Sequence, residues 1–217
     1  MSGQERLWIR TYPDPVLRIA AQPVDPACPA LPDTISQMFS LLRESGGVGL
    51  AGPQVGLDWR IFIPRFTNDE NEDEPADERV YINPSIALDR GGQPLVRSEE
   101  GCLSIPGYKG YIKRSVWVRF RAMDHTSKLV KLKADGILSQ VLEHEVDHLN
   151  GILYTDHLES HQTLMPVETQ GPDGETESEE EAAPPTSGSR LDHQEASEVF
   201  VAPRPAGEET PASLKVR

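Results

Sequence analysis

Two cysteines, Cys28 and Cys102, are all that 217 residues carry. One disulfide is formally open to them, but a disulfide scaffold is excluded, and a reducing compartment fits better. That leaves Cys102 free for chemistry. No apolar run approaches the roughly 18–20 residues of a membrane span. The first ten residues hold no apolar signal-peptide core and no long Arg-rich amphipathic stretch. Positive charge is scarce: 21 Lys and Arg stand against 35 Asp and Glu, a net charge of −14. So acidic a surface repels nucleic acid and anionic membranes, so neither is expected as a direct partner. Together these absences predict a soluble cytoplasmic protein.

The composition breaks near Pro166. From there to Arg217 the chain is mostly Glu, Pro, Ser, Thr, Gly and Ala, with 12 acidic against 4 basic residues. Too few apolar side chains remain to offset the entropy of ordering, so 166–217 reads as a disordered acidic tail. It could serve as an interaction tail, with Val199–Phe200–Val201 as a short docking motif, but a solvated extension is the simpler reading. Residues 1–165 are left as one domain.

Within that domain the spacing predicts two helices. One follows Pro32, with Asp33 as N-cap, Ile35, Met38, Phe39 and Leu42 on one face, and Gly46–Gly47 as its end. The other runs from Ala134 to Leu149 and stops at Asn150–Gly151. Strands are predicted over 60–64, 80–82, 116–122 and 129–132. In the third, Val116, Val118 and Phe120 alternate with Trp117, Arg119 and Arg121, as on a half-buried strand. The acidic run Asn68–Glu78 interrupts this pattern as a loop insertion. Strands followed by a helix, without regular alternation, predict an α+β fold.

The chemistry concentrates in three segments. On a helix, residues four apart differ by about 40° in azimuth and about 6 Å in rise. In His144–Glu145–Val146–Asp147–His148 both imidazoles can therefore share a metal, and Glu145 beside them can take a proton from a metal-activated water. A catalytic site needs a third ligand. Tyr154 stands where an extended protease motif would place a third histidine, and His157 lies nearby at the wrong spacing. Cys102, in Glu100–Gly101–Cys102–Leu103–Ser104, is a better donor, since thiolate binds zinc and ferrous iron strongly. Taken alone it would read as a buried structural cysteine. The third segment, Gly47 to Gly56, lacks the ending of a phosphate loop. Its interest is Gln54, an amide that could donate to a developing oxyanion.

These segments, in this order, resemble the peptide deformylase family, whose pattern is a GxGxAAxQ segment, then EGCLS, then HExDH. The second and third are intact. The first has Gly52 where the family usually has alanine. Tyr12–Pro13–Asp14–Pro15–Val16–Leu17 and Ile82–Asn83–Pro84 extend the resemblance to about residues 8–160. It implies antiparallel strands packed around the HExDH helix, and one divalent metal held by Cys102, His144 and His148. Ferrous iron is the expected native metal, with zinc, nickel or cobalt accepted. The implied reaction removes the N-formyl group from the N-terminal methionine of nascent peptides and releases formate, with transient proximity to the ribosome. Glu145 acts as general base, while the Gln54 amide and the Leu103 N–H stabilise the oxyanion. Ile137, Val141 and His144 would line the methionine pocket, with Gln140 and Ser98 where many relatives carry apolar residues. Val48, Gly49 and Gly107 would contact the substrate backbone, with Lys109 nearby. Asp147 would pair with Arg114.

Overall fold

The computed structural model describes residues 6–66, 77–87, 92, 94–160 and 163–167. The acidic tail beyond Val167 and most of the acidic insertion lie outside them.

Helix α1 spans Leu31–Ser45. Pro32 in its first turn supplies the helical φ, and Gly46 closes it at φ 68°, a left-handed cap that glycine adopts without a Cβ penalty. The N-cap is Ala30 rather than the predicted Asp33, and no side chain caps the turn. Thr34 closes it instead, its amide and hydroxyl both donating to the Ala30 carbonyl.

A sheet runs in the order β1-β2-β4-β7-β8, with β3 added to β2. Its strands are β1 (Gly49–Ala51), β2 (Ile61–Phe66), β3 (Asp77–Glu78), β4 (Tyr81–Ala87), β7 (Trp117–Met123) and β8 (Leu129–Asp135). A second sheet, in the order β5-β6-β9, comprises Leu95–Cys102, Ile105–Ser115 and Leu164–Pro166. All of the ladders are antiparallel. Helix α2, Gly136–Leu149, follows β8 directly. It begins two residues later than its periodicity predicts, because Ala134 is still paired with Val118 in the sheet and buried there.

The alternation in β7 holds from Val118 onward, but Val116, assigned to the same apolar row, precedes the strand and is 39% exposed. Val118, Phe120 and Ala122 are buried and share a core with Leu142, Val146 and Leu149 of α2. Phe62, Tyr81 and Phe120 form an aromatic triad with ring centres 4.8–6.0 Å apart. Each such side chain contributes about 1.5–3 kcal/mol of burial. A second core packs α1 through Met38 and Leu42 against Leu50, Ile61, Ile63 and Ile82. Arg60 of the loop before β2 caps the end of α2, donating to the Leu149 carbonyl at 3.1 Å and to Asn150 Oδ1 at 3.0 Å. Among the described residues no helix is long and apolar enough to cross a membrane. Both cysteines are free thiols.

Candidate metal centre and cleft

Helix α2 turns His144, Glu145 and His148 toward the end of β5. There the ladder with β6 slips register between Gly101 and Cys102. Such an irregularity re-aims a side chain, and Cys102 Sγ comes to 3.2 Å from His148 Nε2. One donor atom each from Cys102, His144 and His148 lie within 4.8 Å of one another. Tyr154 does not join them. It is buried, stacks on His144 at 6.5 Å between ring centres, and donates its hydroxyl to the Tyr108 carbonyl at 3.3 Å. His157 instead donates to Asp147 Oδ2 at 2.9 Å.

Behind the cluster lies a charged frame. His144 Nδ1 donates to Glu100 Oε2 at 2.8 Å, and Arg114 grips the same carboxylate at 2.8 and 3.0 Å. Arg114 also reaches Asp147 at 2.5 Å, the pairing expected from sequence. Burial alone would raise Glu100, but the bonds from His144 and Arg114 outweigh it and hold the carboxyl at about 2. It is therefore an anion that fixes the orientation of the His144 ring. Glu100 had no role assigned from sequence. Strand alternation does not point to it, because the register slip between Gly101 and Cys102 interrupts the two-residue repeat.

Glu145 is 3% exposed. Its burial, with a contribution from Glu100 and against that of His144, pushes it up to about 7. Its Oε2 is buried with no partner among the described residues, as is His148 Nδ1, the ring nitrogen turned from Cys102. Gly49 explains how the carboxylate fits. A Cβ there would stand 2.2 Å from Glu145 Oε1. The departure at Gly52 has a similar cause: a Cβ would fall 2.3 Å from the Trp59 carbonyl oxygen, so this backbone has no room for alanine.

Gln54 sits in the 3-10 turn Gly52–Val55 and is 1% exposed. Its Oε1 accepts from the Ala51 amide at 2.8 Å, which turns Nε2 toward Cys102 Sγ at 3.4 Å and Ser104 Oγ at 3.3 Å.

A cleft of about 650 Å³ opens over these groups. Val48, Gly49 and Gln54 line one wall, Cys102, Leu103 and Gly107 another, and Ile137, Val141, His144 and Glu145 the helical side. His148 lies beneath, 1% exposed. Ile137 stands 73% exposed at the mouth, while Val141 is buried. Gln140 lines the cleft, but Ser98 and Lys109 do not. Ser98 is buried elsewhere, and Lys109 pairs with Glu99 at 3.1 Å. The Gly107 carbonyl accepts from the Val167 amide at 2.8 Å, and Val167 itself joins the lining.

An α+β domain that sets a His-Glu-x-x-His helix against a cysteine-bearing strand end belongs by class with the metal-dependent hydrolases. A family model described as polypeptide deformylase matches residues 6–163. A peptide deformylase of Dehalococcoides mccartyi is 39% identical over 163 residues, covering 75% of this chain and 90% of that one. Among solved structures, a peptide deformylase from Synechococcus elongatus in complex with actinonin superposes with a TM-score of 0.64 at 33% identity, covering 74% of this chain and 83% of that one. A Met-Ala-Ser-bound peptide deformylase from Acinetobacter baumannii gives 0.61 at 28% identity, covering 70% and 98%. This chain belongs to the polypeptide deformylase family.

Proposed function

We propose that this chain hydrolyses the formyl amide of N-formylmethionyl nascent peptides, releasing formate and a free methionine amino group. The observation that carries the reading is the convergence of Cys102, His144, His148 and a buried Glu145 on one cleft.

The donor set fits a divalent cation. A thiolate and two imidazoles are grouped within 4.8 Å. Burial holds His148 well below the ordinary imidazole value, so its ring is neutral, the form that ligates. When bound, such a cation lowers the pKa of a water and polarises the formyl oxygen. Ferrous iron is the native metal in this proposal.

The chain's own residues do the rest. Glu145 accepts the proton of the attacking water at its unpartnered carboxylate and returns it to the leaving amine. Its elevation to about 7 suits both tasks near neutrality. Gln54 Nε2, held by the Ala51 bond, and the Leu103 N–H face the developing oxyanion. Val141 and His144 bound the methionine pocket, with Ile137 at its rim. Gln140 adds a polar group that the flexible thioether tolerates. Val48, Gly49 and Gly107 meet the peptide backbone. The Met-Ala-Ser bound to the Acinetobacter relative is the peptide that such a reaction would release. The enzyme works in the cytoplasm, close to the ribosome that makes its substrates.

Formate release from formyl-Met-Ala-Ser, with metal content measured on anaerobically purified protein, tests this. Turnover that tracks one iron per chain is expected. A protein that cleaves an internal peptide bond and leaves the formyl group would be a protease instead. The Tyr154 hydroxyl, bonded to the Tyr108 carbonyl, does not supply the third ligand that the extended protease motif places at that position, which weighs against that reading.

A further inference from the structure

The hairpin that carries Cys102 is irregular on its second strand. Its ladder steps from Gly101 opposite Lys109 to Cys102 opposite Ile105, so residues 106–108 of β6 have no partner in β5. A bulge of this kind disrupts the pairing around it. Bonds from outside the hairpin brace this one. The Val167 amide donates to the Gly107 carbonyl at 2.8 Å. Strand β9 runs alongside, with Pro166 opposite Tyr108 and Met165 opposite Lys109. The Tyr154 hydroxyl donates to the Tyr108 carbonyl.

The braced bulge borders open space. Gly107 has φ 79°, and a Cβ there would meet nothing within 4 Å. No side chain of its own fills that space, and a residue other than glycine would be strained at this φ. Val167, bonded to Gly107, and Tyr108 beside it are both exposed and both line the cleft. Glu99, a carboxylate of the same lining, is already paired with Lys109. The polypeptide deformylase match ends at residue 163, so β9 and Val167 lie outside it.

We propose that Val167, with the bulge at 106–108, forms a subsite for an apolar side chain on the residue that follows methionine, and so makes the enzyme selective among nascent chains. The inference rests on the deformylase reading and adds a specificity-determining residue to it. In an extended peptide successive side chains point to opposite sides. With methionine turned to the helical side of the cleft, the next side chain turns away from α2, toward the open space over Gly107. Val167 offers it apolar surface and no charge, so an aliphatic or aromatic group gains burial there. A charged group gains nothing. The Val167 amide holds Gly107, while the Val167 side chain faces the substrate, so the two roles separate by substitution.

Formate release by the full-length holoenzyme is measured on formyl-Met-Ala-Ser, formyl-Met-Leu-Ser and formyl-Met-Lys-Ser. A closed apolar pocket discriminates by about 10–200-fold per methylene. This subsite is open on one side, so leucine should exceed alanine by about tenfold in kcat/KM, mostly through KM. Val167→Ser keeps the amide that holds Gly107 and removes the apolar surface, so that ratio should shrink to about twofold or less. Val167→Glu should reverse the preference and make the lysine peptide better than the leucine peptide, a gain that no loss of structure can produce. Wild-type values alike for all three peptides would overturn the subsite. So would a leucine-to-alanine ratio unchanged in Val167→Ser, or a lysine peptide no better than leucine in Val167→Glu. Each of those results leaves deformylation standing. A wild-type enzyme that releases no formate from any of the three would instead sink the deformylase reading, and the subsite with it.

Discussion

Replacing Gly49 by alanine should damage turnover without dismantling the fold. The added Cβ would lie 2.2 Å from Oε1, 2.7 Å from Cδ and 3.1 Å from Cγ of Glu145. No pair of heavy atoms tolerates the first two distances, so one partner must move. The backbone at Gly49 is fixed by its pairing with Pro64 in β2. The Glu145 carboxylate is the end of a side chain, so it yields first. It is only 3% exposed, so it cannot swing into solvent and must leave its place at the cleft. Overpacking of this kind costs about 1–3 kcal/mol, and the lower end applies because no backbone atom is struck. General-base catalysis is worth ~10²–10⁴ in rate. Gly49→Ala should therefore lose about a hundredfold or more in kcat, about 2.7 kcal/mol of transition-state stabilisation. Metal content should stay at the wild-type level. The assay is formate release beside metal analysis and a thermal melt. Glu145→Gln should show a comparable loss with the metal retained, and the double variant should fall little further, because both changes remove one function. A Gly49→Ala enzyme within threefold of wild type would refute the reasoning, since Glu145 would then act from elsewhere or not at all.

Gly52→Ala should behave in the opposite sense. Its Cβ would strike the Trp59 carbonyl at 2.3 Å, backbone against backbone, so a melt should show lost stability, of order 1–3 kcal/mol, exceeding any direct loss of kcat in the folded fraction. Cys102→Ala removes a donor, so metal stoichiometry and turnover should fall together; full occupancy in this variant would exclude the thiolate as a ligand. Glu100→Gln should weaken metal affinity about 10–100-fold through a loosened His144, as read by chelator competition. The same residue sets an acid limit. Its folded value of about 2 lies below the ordinary 4.5, so its stabilisation is complete above pH 4.5 and is lost as the pH falls toward 2. Acid unfolding of Glu100→Gln should lack that component. Deleting residues 168–217, just past the Val167–Gly107 bond, should leave kcat/KM on a short formylated peptide within about threefold if the acidic segment is a solvated extension.

Legibility in the sequence followed the strength of local signals. The spacing of His144 and His148, the stop at Asn150–Gly151 and the alternation through Val118 and Phe120 are each set by a regular repeat, and the structure reproduces them. Residues of β5 and β6 gave no such pattern. Their strands mix Arg97, Glu99 and Lys109 with glycines, because only part of each faces a core, and the pairing is carried by the backbone ladder. The cleft was partly legible: the segments that resemble family motifs do converge, whereas Ser98 and Lys109, placed by analogy alone, fall outside the lining. What the sequence hid was contact at a distance. That Gly49 makes room for Glu145, or that Arg60 caps a helix 89 residues later, depends on the tertiary arrangement and leaves no trace in spacing.

The three donors come from two separately built parts. Cys102 ends a strand of the three-stranded sheet, and the histidines ride on the helix packed against the larger one. A cation between them is then a fastener as well as a reagent. Ligand held by the native state alone adds about 2.7 kcal/mol at a hundredfold excess over Kd. Its withdrawal should be felt first where the two parts meet, as faster hydrogen exchange at Gly101–Ser104 ahead of the strands around Phe62 and Phe120. For a cell short of the metal, the shortage would register as protein lost to unfolding as well as reactions left undone.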